Sequence, residues 1–323
     1  MKIRALLFTL SLLLLSISTR CVYGYNGNVD GYSFIQQYQV SSNLDLSVST
    51  AGGNITAVVG EDNSAEVSFI VSLRGKLLDV TFDQLKDYAE VEIINSNSKL
   101  EINVKKIIKR NVGVGFFIKT PVNSSVDLKT SGGNIEVAGL TGQQKMKTSG
   151  GNIKIEQIIG TVVAKTSGGN ISLDNIDGKV DVYTSGGNIK ANNITKELIA
   201  HTSGGNINLS KVQDQIDVST SGGSIYLDEV SGSVKARTSG GNIKANIINL
   251  TDNLELKTSG GSINCIIPSG LGLDLDLLAF NIDTPLLNFT GTAKKNRIIG
   301  QVNGGGIKVN LSTSGGNVVL NYK

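Results

Sequence analysis

Apolar and polar side chains alternate along most of this chain, and from residue 126 to 268 the alternation repeats. It is keyed to a phrase, Thr-Ser-Gly-Gly-(Asn/Ser)-Ile, that begins at Thr130, Thr148, Thr166, Thr184, Thr202, Thr220, Thr238 and Thr258. The first seven copies are 18 residues apart and the last step is 20. Two positions before each Thr stand Leu128, Met146, Ala164, Val182, Ala200, Val218, Ala236 and Leu256, all apolar. Five after it stands Ile in every copy (Ile135 to Ile263). Seven after it stand Val137, Ile155, Leu173, Ala191, Leu209, Leu227, Ala245 and Cys265. Ten after it the series runs Leu140, Ile158, Ile176, Ile194, Val212, Val230 and Ile248. The positions between are mostly Lys, Asp, Asn and Ser. A period of two predicts strands with one buried face, and a fixed longer period predicts a stack of like units. Each unit reads as strand, Gly-Gly turn, strand, corner.

Two architectures share that local pattern, hairpins in a meander and coils of a solenoid. A meander would place about sixteen strands in one sheet with a single apolar face, where open sheets rarely exceed ~10 strands. No helical period exists in 126–268 to cover such a face. A coil encloses its own core. The expected fold is therefore all-β, a parallel β-helix or β-solenoid with ~18-residue coils stacked ~4.8 Å apart and a β-rich N-terminal cap. In such a stack the glycine pair is expected to turn each coil through positive φ. Asn after the glycines (Ser224 and Ser262 replace it) is expected to form an amide ladder along the axis. Thr shares the parity of the buried columns, which predicts a ladder of buried hydroxyls donating to one another or to backbone.

The flanks alternate without the tight repeat. Residues 25–125 are read as a β-rich cap region, 126–268 as the regular solenoid and 269–323 as C-terminal coils and cap. Val67–Val71, Leu100–Val104 and Leu273–Leu277 read as strands, and Thr81 to Tyr88 as one short helix with Thr81 at the N-cap and Gln84 at the capping-box position. Weaker copies of the phrase stand at Thr50-Ala51-Gly52-Gly53-Asn54-Ile55 and Thr313-Ser314-Gly315-Gly316-Asn317-Val318.

Residues 1–24 carry an export signal. Lys2 and Arg4 precede the apolar stretch Ala5 to Leu15, and Val22-Tyr23-Gly24 offers a cleavage point. The stretch is short of the ~20 apolar residues that span a bilayer, and no second span follows. Arg20 stands where a lipoprotein signal needs a small residue, so Cys21 is read as part of an ordinary signal. Export changes the charge. The chain has 30 basic and 27 acidic residues, and the signal takes Lys2, Arg4 and Arg20 with it and no acid, leaving 27 of each. The basic character belongs to the signal and gives no support for nucleic-acid binding. Only Cys265 remains, so packing and backbone hydrogen bonds hold the mature chain together.

The serial Thr-Ser-Gly-Gly-Asn-Ile units, the strand Phe117-Ile118-Lys119-Thr120-Pro121 before the first of them, and the ending Gly304-Gly305-Gly306-Ile307 followed by Thr313-Ser314-Gly315-Gly316 resemble the bacterial putative-adhesin family of β-strand-repeat proteins. The resemblance covers about residues 40–323. It implies a β-helix fold and a cell-surface or envelope role, some relatives being linked to envelope-stress responses. The family has no defined activity, so no site residues carry over. Asn here often fills a place where relatives commonly have Asp.

Candidate chemistry must lie in the outward positions. Calcium-binding β-rolls place Asp after the glycines, where this chain has Asn or Ser, and Asp174, Asp177, Asp228, Glu229 and Asp252 are out of register at corners, so no metal or cofactor is expected. Asp127, Asp181, Asp217 and Glu255 share one outward column, three positions before the Thr, but Lys145, Val163, Ile199 and Lys235 interrupt it. Its acids stand two or more coils apart, ~10 Å, against ~5 Å for retaining and ~6.5–9.5 Å for inverting glycosidase pairs. The sole histidine, His201, has no catalytic partner in register. Cys265 falls in an inward column and is expected to be a small buried hydrophobe. The best candidate surface is the column just before the Thr, made of Lys129, Lys147, Lys165, Tyr183, His201, Ser219, Arg237 and Lys257. Five cations at strand spacing suit an anionic glycan or envelope polymer, against the plainer reading of a solvated face that discourages aggregation. The sequence thus points to a non-enzymatic exported protein, periplasmic, cell-surface or extracellular, that adheres to or binds a cell-envelope or extracellular polymer or a surface protein. The alternatives are an envelope-stress sensor or regulatory binding protein using 25–125, and a polysaccharide-active β-helix enzyme.

Overall fold

The computed structural model describes residues 31–323, which form one compact unit. The expected export signal and its cleavage point lie outside the described residues. Among the described residues there are 27 strands and one helical turn, and no helix is long and apolar enough to cross a membrane. The fold is the expected parallel β-solenoid. Each regular coil contributes a strand to two parallel stacks. In one, Ile55, Ile135, Ile153, Ile171, Ile189, Ile207, Ile225, Ile243, Ile263 and Val318 stand in register. In the other, each strand ends at the Thr or one residue before it, and Leu128, Met146, Ala164, Val182, Ala200, Val218, Ala236 and Leu256 align. We term these the isoleucine sheet and the threonine sheet. Their inward columns are buried throughout and form one continuous core.

The threonines do what their parity predicts. Each is buried. Its Oγ1 donates to the second-glycine carbonyl of the coil below, as Thr184 does to Gly169 at 2.8 Å and Thr202 to Gly187 at 2.8 Å. It also accepts from the backbone N–H three residues ahead, Gly187 to Thr184 at 3.3 Å. The ladder begins at Thr50, which donates to Val114 of the cap at 2.8 Å, and ends at Thr313, which donates to Gly261 at 2.6 Å. Both weaker copies of the phrase are therefore full members of the stack, placed directly against Thr130 and Thr258.

Two expectations about the corner are corrected. The glycine pairs do not turn through positive φ; among the ten copies only Gly53 does, at 149°. The second glycine is required by close stacking instead. A Cβ on Gly187 would lie 1.9 Å from the Gly169 carbonyl oxygen, whereas one on Gly186 meets nothing nearer than 3.7 Å. The left-handed turn lies at the opposite corner, where Gly139, Gln157, Asn175, Asn193, Lys211 and Glu229 form their own 18-residue ladder with φ between 52° and 76°. The asparagines also do not stack amide on amide. Each Oδ1 accepts the backbone N–H of the Asn or Ser one coil later, Asn206 from Ser224 at 2.7 Å, and Ser224 in turn accepts from Asn242 at 3.1 Å. The position needs one acceptor oxygen, and Ser supplies it as Asn does.

The step of 20 residues displaces one core position. Across the register shifts of Ile243–Thr258, Val230 pairs with Ile247, which is buried, and Ile248 is exposed where the period placed it inward.

The segments between the weak and regular copies build the two ends. At the first end, Val112–Thr120 lies parallel to Ile55–Val59, followed by antiparallel Ser64–Leu73 and Phe34–Gln39 on the isoleucine sheet. On the threonine sheet, Lys99–Ile107 lies parallel to Asn43–Thr50 and is followed by antiparallel Ala89–Ser96. Stacked Phe34 and Phe69 (4.5 Å) and edge-on Phe116 (5.2 Å) fill the core there. The helix is shorter than expected, Phe82–Leu85, but its capping box is present, with Thr81 N–H donating to Gln84 Oε1 at 2.9 Å. At the other end, Leu273–Leu278 joins Ile307–Thr313 in parallel, and Arg297–Val302 and Phe289–Lys294 close the threonine sheet as an antiparallel hairpin.

Candidate functional site

Strand alternation leaves the outward face of the threonine sheet as a series of columns. The column just before the Thr is continuous and in register through Lys129, Lys147, Lys165, Tyr183, His201, Ser219, Arg237 and Lys257, with Ser49 and Ser312 at its ends. Ladder pairing fixes the step at ~4.8 Å.

The electrostatics along the column are uneven. Lys129 pairs with Asp127 at 2.8 Å. Arg237 Nε donates to Glu255 at 2.8 Å, and Lys257 reaches the same carboxylate at 3.2 Å. Partial burial pulls the Glu255 carboxyl up, but Arg237 and Lys257 outweigh it and hold it below its ordinary value. Three of the five expected cations are thus neutralised by acids two residues away on the same strand or diagonally across on the next coil. Among the described residues Lys147 and Lys165 make no ion pair with a carboxylate, and neither does Lys145, two residues before Lys147 on the same outward face and directly across from Asp127. Tyr183 and His201 follow on the next two coils. The Tyr183 hydroxyl meets Ser185 Oγ at 3.4 Å, and hydrogen bonds from Ser185 and then Ser203 hold its pKa below the ordinary phenol value. His201 Nδ1 lies 2.8 Å from Ser219 Oγ. The arrangement offers three free ammonium groups, a phenol and an imidazole on four consecutive coils.

The acidic column has the spacing the period implied. Asp181 and Asp217 are separated by the coil of Ile199, and Asp217 is bound to Lys235 at 2.6 Å. Among the described residues no group of three or more His, Cys, Asp or Glu side chains could hold a metal ion. Cys265 is fully buried, and desolvation pushes its thiol up to about 12.

Sequence reasoning missed the clefts on this face. One, of about 530 Å³, lies where Lys235, Glu255, Asp274, Asp276, Lys308 and Asn310 come together. A second, of about 240 Å³, lies beside Lys145 between Asp45, Lys99, Glu101 and Asp127. Asp274-Leu275-Asp276 shows by its alternation that the acids face outward, but nothing in it says that their strand docks against Ile307–Thr313.

The family model described as Toastrack DUF4097 matches residues 35–321. No curated protein matches the chain. Similar solved structures include a putative adhesin from Bacteroides fragilis, 15% identical, covering 89% of this chain and 96% of that one with a TM-score of 0.35. A putative lipid binding protein from Parabacteroides distasonis is 12% identical, with coverage of 90% and 96% and a TM-score of 0.34. A putative cell adhesion protein from Clostridium sporogenes is 11% identical, with coverage of 90% and 99% and a TM-score of 0.19.

Proposed function

We propose, from the premise that this chain belongs to the Toastrack DUF4097 family, that it is a non-enzymatic, exported binding protein whose threonine sheet holds an extended anionic polymer of the cell envelope or its surroundings. The observation that carries the reading is the run Lys145, Lys147 and Lys165 without ion-paired carboxylates, beside Tyr183 and His201 in register. A rigid step of ~4.8 Å per coil matches a repeating ligand better than a compact one, and several exposed ammonium groups act together as point charges. Tyr183, 40% exposed, adds a flat apolar surface with a polar tip beside them.

The test is binding of an acidic polysaccharide panel to the protein and to K145S/K147S/K165S, measured at two salt concentrations. Binding that weakens with salt and falls at least tenfold in the triple variant supports the reading. The control K129S/K257S, which removes ammonium groups already paired with Asp127 and Glu255, is expected to change it by less than half as much on a logarithmic scale. Unchanged binding by the triple variant refutes it, as does release of new reducing ends during incubation.

A further inference from the structure

A solenoid must stop, and this one stops on open strands at both ends of the same sheet. Ala89–Ser96 pairs only with Lys99–Ile107, and Phe289–Lys294 pairs only with Arg297–Val302, so each presents one row of unpaired backbone groups among the described residues. Such edges recruit further strands unless they are blocked. Large exposed apolar side chains also gather at these ends. Phe82, Ile94 and Ile108 stand at the first, and Phe280 and Leu287, 72% and 77% exposed, at the second.

We infer that the two ends fit each other, and that copies of this chain associate head to tail by continuing the threonine sheet from one molecule into the next. Strand directions fix how they would meet. Ala89–Ser96 runs against Lys99–Ile107, which is parallel to the coils. Phe289–Lys294 is antiparallel to Arg297–Val302, itself antiparallel to Leu273–Leu278, so it runs with the coils. Stacked along the axis, the two edges are antiparallel. Followed along the ladder columns, that pairing brings Lys294 beside Glu92, which Lys105 also holds at 3.0 Å, and Thr292 beside the exposed Ile94 on the outward face. On the inward face Ile93 meets the small Ala293, large against small, and Asn95 meets Gly291.

The same alignment places Phe280 near the start of Ala89–Ser96. Phe280 lies beside the Lys294–Arg297 turn, with Lys295 Nζ 5.8 Å from its ring. At the start of Ala89–Ser96 is a cavity of about 360 Å³ lined by Phe82, Leu85, Val91 and Ile108, with Asp83, Glu90 and Lys86 among its polar residues. A projecting aromatic ring beside Lys294 and Lys295 thus faces an apolar hollow whose polar residues are two carboxylates and one ammonium group. Because the two patches differ, the contact is heterologous and does not close on itself, so it generates open chains.

Sedimentation velocity of the purified chain over a range of concentrations tests this. The expected result is a mass that climbs with concentration past the dimer, with end-to-end rods by electron microscopy. E90K/E92K alone and K294E/K295E alone are each expected to need at least tenfold higher concentration to associate. Mixed one to one they recover, since the lysine end of the first then meets the glutamate end of the second in both directions. F280S lowers association without changing the circular dichroism spectrum. A chain that stays monomeric at every concentration overturns the inference, as does a closed dimer, or a mixture of the two charge variants that fails to recover.

Discussion

Neighbouring glycines in one turn should respond oppositely to the same substitution. Gly186 and Gly187 are adjacent, and neither has a φ in the left-handed region. A Cβ on Gly186 meets only Ser167 and Gly168 atoms at 3.7–4.0 Å, ordinary contact. A Cβ on Gly187 meets the Gly169 oxygen at 1.9 Å, its carbon at 2.4 Å and the Asn170 nitrogen at 2.8 Å, all backbone. Relief requires parting the coils by more than an ångström. That separation stretches the Thr184 to Gly169 bond, now 2.8 Å, and its ladder neighbours, here Gly186 N–H to Ser167 at 2.9 Å. Losing two or three such bonds at ~1 kcal/mol each, with a buried carbonyl left unpaired at ~1–3 kcal/mol, puts Gly187→Ala at roughly 3–6 kcal/mol. Gly186→Ala, which only narrows the unfolded chain's freedom, should stabilise by ~0.4–1 kcal/mol. Guanidinium denaturation of the two variants and the parent, followed by circular dichroism, separates them. In a stacked array a broken interface should also split the transition, because each coil holds only its neighbours. If Gly187→Ala unfolds with Gly186→Ala, close stacking is not why the second glycine is there.

Other outcomes follow from the same contacts. Thr184→Val keeps the volume but removes both the donation to Gly169 and the acceptance from Gly187, and should cost ~1–3 kcal/mol by denaturation, whereas Thr184→Ser, losing only a methyl, should cost ~0.8 kcal/mol. Asn206→Ala leaves the Ser224 N–H without its acceptor and should destabilise by ~0.5–1.5 kcal/mol, while Asn206→Asp keeps the acceptor and should not, a comparison that melting curves resolve. Cys265 should resist alkylation at pH 8 until denaturant is added. Its unfolded thiol titrates near ~8.5 and its folded one near about 12, so the stability it contributes is whole below ~8.5 and is lost as pH rises toward 12, which a pH series of denaturation midpoints checks against Cys265→Ala.

What could be read from the chain depended on how many physical causes share one residue type. Inward Ile and Thr have one explanation at their parity, and Ile135 to Ile263 and Thr130 to Thr258 all lie where alternation put them. Glycine has two, a permissive φ and the absence of a Cβ, and the sequence does not separate them. At the Gly-Gly corner the second cause operates, and the left-handed corner is carried by Gln157, Lys211 and Glu229, residues that do not announce it. Gly160 and Gly178, by contrast, face the same stacking constraint, with Gly178 only 1.6 Å in Cβ from the Gly160 oxygen. The helix at Thr81 was legible because a capping box is a local device. The hairpin Phe289–Val302 was not, because it contacts Leu273–Leu278, and the spacing between them carries no period.

The candidate site divides along the same line. Period two located the column of Lys129, Lys147 and Lys165, since outward direction is a local property. The field along that column is not local. Asp127 two residues before Lys129 cancels it on one strand, but Glu255 cancels Arg237 across a coil whose step is 20 rather than 18. Only ladder register says that these two meet despite the longer loop. A count of five cations therefore overstates the charge of the surface, and the part left unpaired is shorter, Lys145 to Lys165, and nearer the first end. A polymer that follows charge should lie there and leave the Arg237 and Lys257 coils free, which makes the salt dependence of binding a measure of about three ammonium groups rather than five.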